Sequence, residues 1–194
     1  PLGILTTWLC NQDKRDSGGS WNVIELSGID DNCLLMRYWA EILESKGIQV
    51  NFHPQHRCWS IPLAGCWETH LQSLRKNGRK EFKLTWDALQ QQEIVWVQSA
   101  EQIEGYLQTL IELHQKRWNS QGQPGCFADP RFEKFFRESA RAWFDSGRLW
   151  GVMIQNQGKP IAADFAIRGG ETLYCYQAGV DPDAMSLRPG KLSN

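Results

Sequence analysis

Four places in the chain carry side chains suited to moving a charged or protonated group. The last is "SLRPGKL", a Pro-Gly turn directly after a run of strands. A turn that opens a helix presents unpaired N–H groups and the positive end of the helix dipole, both favourable to a phosphate. Gly190 lets the backbone approach closely, while Arg188 and Lys191 add cationic donors. His114 lies at helical spacing with Trp118, and its ordinary pKa suits proton transfer if that face opens to a cleft. The alternative is a histidine satisfied in the core. Asp164 stands between Ala162 and Ala166 on a strand; it either lines a cleft, where a raised pKa would make it a base, or pairs with Arg168. Asp181 in "GVDP" reads mainly as the cap of the turn before the Pro-Gly loop.

The remaining titratable groups narrow the chemistry. Six cysteines fall at 10, 33, 58, 66, 126 and 175, with no C-x-x-C pair and none at a metal-ligand spacing from a histidine, so no metal is expected. Scattered cysteines fit a reduced, cytosolic protein. None stands near a His–Asp pair in sequence, so direct transfer without an acyl-enzyme is expected. The net charge of −1 gives no global reason to expect a nucleic acid. One local exception is the run from Arg75 to Lys83, five cations against Glu81, which is either a solvated helix face or a surface for an anionic substrate. Trp59, Trp67 and Trp118 flank loops and are candidates for stacking on a sugar. No stretch approaches the roughly 20 apolar residues of a membrane span. The chain opens on Pro1 inside an apolar run and stops just past the Pro-Gly turn, so it reads as an internal fragment whose following helix is missing.

The elements that must position these groups are legible from periodicity. Residues 1–63 read strand, strand, helix, strand, strand: "WNVIEL" is a strand, Leu35, Trp39, Ile42 and Leu43 line a helix closed by Gly47, and "IQVNF" and "RCWSIPL" form a hairpin around "HPQH". One long helix is expected over 67–89. "EIVWVQ" is a strand, and Ser99 with Gln102 forms a capping box for a helix carrying Ile103, Leu107, Leu110, Ile111, His114 and Trp118. Asp129 caps the next helix with Pro130 in its first position; Phe132, Phe135, Phe136, Ala140, Trp143 and Phe144 make its apolar face. "RLWGVMIQ", "IAADFAIR" and "TLYCYQAGV" follow as an antiparallel meander with Gly-bearing turns, Ile161, Ala163, Phe165 and Ile167 sharing a face.

Five segments in this order, "CWETHLQSLRKNGRKEFK", "LIELHQKRW", "GCFADPRFEKFFRESA", "GRLWGVMIQNQGKPIAADFAIRGGETLYCYQAGVDP" and "RPGKL", resemble the CelD-like acyltransferase domain of the GNAT superfamily, a relative of the Fem-type peptidyltransferases. The resemblance covers about two thirds of the chain. It implies an α/β fold of the α+β type, with a mixed, mostly antiparallel, splayed sheet flanked by helices. Residues 66–194 would be a second GNAT-like domain truncated after the Pro-Gly loop, and residues 1–65 the remains of a first half. It also implies a donor, acetyl-CoA or another acyl-CoA. Arg188, Gly190 and Lys191 would hold the phosphates, and the strand end at Gln177 and Ala178 would polarise the thioester carbonyl through the main chain. Leu187 and Leu192 stand where the superfamily's loop carries Arg or Gln and Gly or Ala. By the same resemblance Tyr176, nearer the loop than Tyr174, would protonate the departing thiolate. His114 and Asp164 are the candidate bases.

The function this implies is acyl transfer to an amino or hydroxyl group of an envelope polysaccharide or its precursor, in the bacterial cytoplasm. Two alternatives remain at this point. One is a Fem-type transferase using aminoacyl-tRNA as donor, which would rely on the Arg75–Lys83 surface. The other is a non-catalytic scaffold of polysaccharide assembly.

Overall fold

A computed structural model of the chain describes residues 2–11, 22–53, 59–63 and 65–193. The chain divides into two compact units, Pro1–Pro62 and Leu63–Asn194.

In the first unit the described residues form two helices, α1 (Leu2–Asn11) and α2 (Leu34–Ser45). The opening apolar run is therefore helical, not a strand. Thr6 and Leu9, three apart, are its buried residues. Thr6 Oγ1 donates to the Leu2 carbonyl and accepts the Trp39 indole N–H at 3.0 Å, so a hydroxyl in a buried position is fully used. On α2, Trp39 is buried and Ile42 and Leu43 half-buried as the spacing predicts, but Leu35 is exposed. Gly47 ends the helix at φ +80°. Of the strands expected at 21–26, 48–52 and 57–63, none forms over the described residues 22–26, 48–52 and 59–63. Their β-forming residues find no ladder partner among the described residues, and strand propensity is expressed only within a packed, paired sheet. The proposed turn at 54–56 lies outside the described residues.

The second unit opens with α3 (Trp67–Ser73) and α4 (Lys76–Leu89), which replace the single expected helix. Leu74 and Arg75 are extended, and the Ser73 hydroxyl bonds back to the His70 carbonyl at 2.6 Å. Arg79 satisfies the break by donating to the carbonyls of Leu74 (2.6 Å) and Gln72 (3.3 Å). Then come β1 (Glu93–Trp96), α5 (Ala100–Ser120), α6 (Pro130–Asp145), β2 (Leu149–Asn156), β3 (Lys159–Gly169), β4 (Thr172–Val180) and a short α7 (Pro189–Leu192). Both expected caps are present: the Ser99–Gln102 box on α5, and Asp129 on α6, where it accepts the Arg131 N–H at 2.9 Å.

The sheet runs β1-β2-β3-β4, all pairs antiparallel. Gln157 and Gly158, at φ 51° and 77°, make the β2–β3 loop a two-residue turn whose twist matches that of its strands. Helices α5 and α6 bury Ile103, Tyr106, Leu107, Leu110, Phe136 and Ala140 against Ala163 and Phe165 of β3. Each fully buried Ile, Leu or Phe among them stabilises by roughly 1.5–3 kcal/mol. Phe135, expected on this face, is instead largely exposed. A second cluster joins Ile154, Ala162, Val180 and Leu192 to the end of α4. Ile161 packs here rather than with Ala163, beside the register shift at Ile154/Gln155.

Candidate active site

The far end of β4 is where the chemistry gathers. β4 pairs Phe165 with Gln177 but Ala166 with Cys175, leaving Tyr176 as the extra residue of a β-bulge. A bulge bends its strand and re-aims a side chain, and such features concentrate beside active sites. Tyr176 keeps 44% of its surface exposed while one side of its ring lies 6.3 Å from Phe136 and 6.2 Å from Phe165. Burial, with Cys126 nearby, pushes its phenol pKa up, so it is protonated at neutral pH. Tyr174 remains exposed, over Gly169.

Three residues on, Gly179 brings α5 directly onto the strand. A Cβ there would lie 2.7 Å from both His114 N and the Leu110 carbonyl oxygen. This contact fixes His114 beside the β4 end. The imidazole is nearly buried, edge-on to Phe127 at 4.9 Å and tilted against Trp118 at 5.9 Å. Burial lowers its pKa, with Gln115 acting in the opposite sense, so the neutral ring dominates at pH 7. The loop after α5 then returns past it. Gly125, at φ +69°, leads into a single 3-10 turn, Cys126–Ala128. Cys126 Sγ lies 3.6 Å from His114 Nε2, and Gln177 Nε2 donates to the same sulfur at 3.7 Å. Cys126 is exposed at the pocket rim, and partial desolvation there raises the thiol's pKa, so it is held as S–H. His114, Trp118, Gly125, Cys126 and Gln177 line an open pocket of about 400 Å³.

The fold thus unites three of the expected site residues, His114, Tyr176 and Gln177, around a cysteine that the sequence reading set aside. Cys126 was invisible as a site residue because its histidine partner lies twelve residues back, across a loop whose path depends on Gly125. Asp164 is not among the residues lining the pocket. Its carboxyl, raised by burial, lies against Ser193, whose hydroxyl opposes the shift without closing a hydrogen bond of ordinary geometry, and among the described residues Oδ2 has no hydrogen-bond partner. Among the described residues no ion pair joins it to Arg168.

The exit of β4 is anchored by one carboxylate. Asp181 is buried and accepts from the Asp183 N–H (3.0 Å), as a turn cap should. It also meets Lys116 at 2.6 Å and Lys159 at 2.9 Å. Burial alone would raise its carboxyl; the two ammonium groups and the N–H outweigh it and hold the pKa at about 2. Past this anchor the chain reaches Arg188, a non-glycine residue in the left-handed region (φ 52°), and then α7. Arg188 (2.9 Å) and Lys191 both close on one oxygen of Glu81, from α4. A Cβ on Gly190 would lie 3.7 Å from Val180, an ordinary contact, and would meet nothing nearer among the described residues.

Residues 73–194 match the family described as the acetyltransferase (GNAT) domain, and the chain belongs to that family. The antiparallel four-stranded sheet flanked by helices agrees with that architecture, and the domain makes the chain an acyltransferase of this type. No curated protein matches the chain. Among the described residues no helix is long and apolar enough to cross a membrane, and no cluster of three or more potential metal ligands occurs.

Proposed function

We propose that the chain transfers an acyl group from acyl-CoA, acetyl-CoA being the simplest, to an amino or hydroxyl group of an envelope glycan or its precursor. The glycan rests on the CelD-like resemblance of the five segments; the donor rests on the site. The observation that carries the donor is the convergence of Arg188 and Lys191 on Glu81 Oε1, just past the 3-10 segment Pro182–Leu187 that follows β4. That carboxylate oxygen stands in for a phosphate oxygen: two cations already close on a single anionic acceptor. Arg188, Gly190 and Lys191 would hold the donor's phosphates, and the Gln177–Ala178 strand end would face its thioester. Acyl-CoA supplies the activated carbonyl. His114 Nε2, neutral, would accept a proton released in the transfer, and Tyr176, protonated at neutral pH, would return one to the departing thiolate. The five free cysteines among the described residues suit a reducing compartment, in keeping with the bacterial cytoplasm.

A second donor, aminoacyl-tRNA, is favoured by one observation. Arg75, Lys76, Arg79, Lys80 and Lys83 are all exposed around α4. Arg79 is committed to the helix break, so Lys76, Lys80 and Lys83 are the cations to test.

Calorimetric titration of acetyl-CoA decides between donors. Saturable binding is expected, weakened at least about tenfold in the R188E/K191E double variant, since charge-assisted contacts are each worth roughly 1.5–3 kcal/mol. The triple change of Lys76, Lys80 and Lys83 to Gln should leave it unaltered. Absence of binding to the folded chain overturns the acyl-CoA reading; loss of tRNA binding in the triple variant would then establish the other.

A further inference from the structure

We infer that Cys126 and His114 form a nucleophilic pair, and that the acyl group passes through a thioester on Cys126 before it reaches the acceptor. This rests on the acyl-CoA reading above and goes beyond it, because the reading itself requires only direct transfer.

The argument starts two residues from the thiol. The Pro124 carbonyl can only accept, so the Gln115 amide that meets it at 2.7 Å must present its NH2 there. This turns Gln115 Oε1 towards His114 Nδ1, 3.0 Å away. An amide oxygen can only accept, so Nδ1 carries the proton of the neutral ring. Nε2 is left with a free lone pair, and it is Nε2 that faces Cys126 Sγ at 3.6 Å. The sulfur, the imidazole and the amide therefore stand in the order nucleophile, base, orienting group, the arrangement by which thiol and hydroxyl nucleophiles are activated on unrelated folds. The local backbone is committed to it. A Cβ on Gly125 would lie 2.2 Å from Gln115 Oε1, and its φ of +69° already favours glycine. Gln177, from the bulged end of β4, donates to the same sulfur and places the pair at the strand end that faces the thioester.

The chemistry balances without any further reagent. Sγ bonds to the thioester carbonyl carbon as the S–H proton moves to His114 Nε2. The bond from that carbon to the CoA sulfur breaks, and CoA leaves as the thiol, taking the proton. One thioester replaces another, with no oxidation or reduction. In the second step an amino or hydroxyl group attacks the Cys126 thioester, and its proton returns through His114 to Sγ. Cys126 and His114 are catalytic residues in this scheme. Gln115 is a positioning residue, acting through the tautomer of His114.

The test treats the whole chain with acetyl-CoA, quenches in acid and maps the acyl group by mass spectrometry. Alongside it, iodoacetamide alkylation of Cys126 is timed, with the exposed Cys175 as internal reference. The expected result is a single acetyl group on Cys126, released by neutral hydroxylamine and absent from C126S. Alkylation of Cys126 should slow at least about tenfold in H114Q, a modest share of what a general base contributes, and fall also in Q115A, with Cys175 unchanged in both. If acetyl-CoA binds by calorimetry yet Cys126 gains no acyl group, the thioester step is overturned and the acyl-CoA reading stands. Equal alkylation of Cys126 in the chain and in H114Q overturns the pair itself. No binding of acetyl-CoA overturns both readings together.

Discussion

At the scale of single residues, the buried carboxylate of Asp181 decides how the strand end is held. Its partners Lys116 and Lys159 lie on α5 and at the start of β3, so one side chain ties three elements together. Its folded pKa, about 2, lies below the ordinary value of 3.8. A depressed carboxylate stabilises the fold above its unfolded pKa, and that contribution is lost as pH falls through the folded value. Asp181→Asn should therefore lower stability at pH 7 by roughly 2–3 kcal/mol, less than for a wholly enclosed pair because both lysines reach solvent. The gap between the two proteins in urea midpoints should be full above about pH 4 and shrink towards pH 2; a gap indifferent to pH would show that shape, not charge, anchors the turn. The sequence identified Asp181 as a turn cap because that bond is local. The lysines were illegible because one is 65 residues away in the chain. His114 was picked out by chemical type and Tyr176 through the family resemblance; Cys126 was not, because its approach to His114 depends on the path of the loop through Gly125.

At the scale of elements, local signals carried well and long-range ones did not. The caps of α5 and α6, and the two tight turns of the meander, are written in four or five consecutive residues and formed as read. The expected strands of the first 63 residues depended on partners that composition cannot supply. The break between α3 and α4 turns on Arg79 reaching back to Leu74, a choice that periodicity does not contain. Glycine makes the contrast testable. Gly179 and Gly190 look alike in sequence, but only Gly179 lies where a side chain would strike backbone atoms at 2.7 Å, and backbone cannot step aside. Gly179→Ala should push α5 from β4 at a cost of roughly 1–3 kcal/mol or more, as overpacking does. It should also speed exposure of the His114 amide to hydrogen exchange. Gly190→Ala, with 3.7 Å of clearance, should leave thermal stability within about 0.5 kcal/mol of the parent. Calorimetric melting of the two variants checks both; equal midpoints would show that the α5–β4 approach is not as tight as drawn.

For the whole molecule, the charge balance shapes how an anionic donor is found and kept. A net charge of −1 provides no attractive far field, so recognition of a phosphate must come from cations within contact range. Arg188 and Lys191 are such cations, yet both are engaged by Glu81, whose carboxyl they hold below its usual pKa, Lys191 chief among them. Donor binding then becomes an exchange of one anion for another: the phosphate gains two cations and Glu81 returns to water. On this account Glu81→Gln should bind acetyl-CoA several times more tightly at low ionic strength, because the neutral amide competes less for both cations. The advantage should narrow as salt rises, since screening shortens from about 10 Å at 0.1 M to about 3 Å at 1 M and these side chains are half exposed. Calorimetric titrations at low and high salt supply the comparison. Weaker binding by the variant would mean that Glu81 orients the two cations for the donor rather than competing with it, and the exchange account would have to be given up.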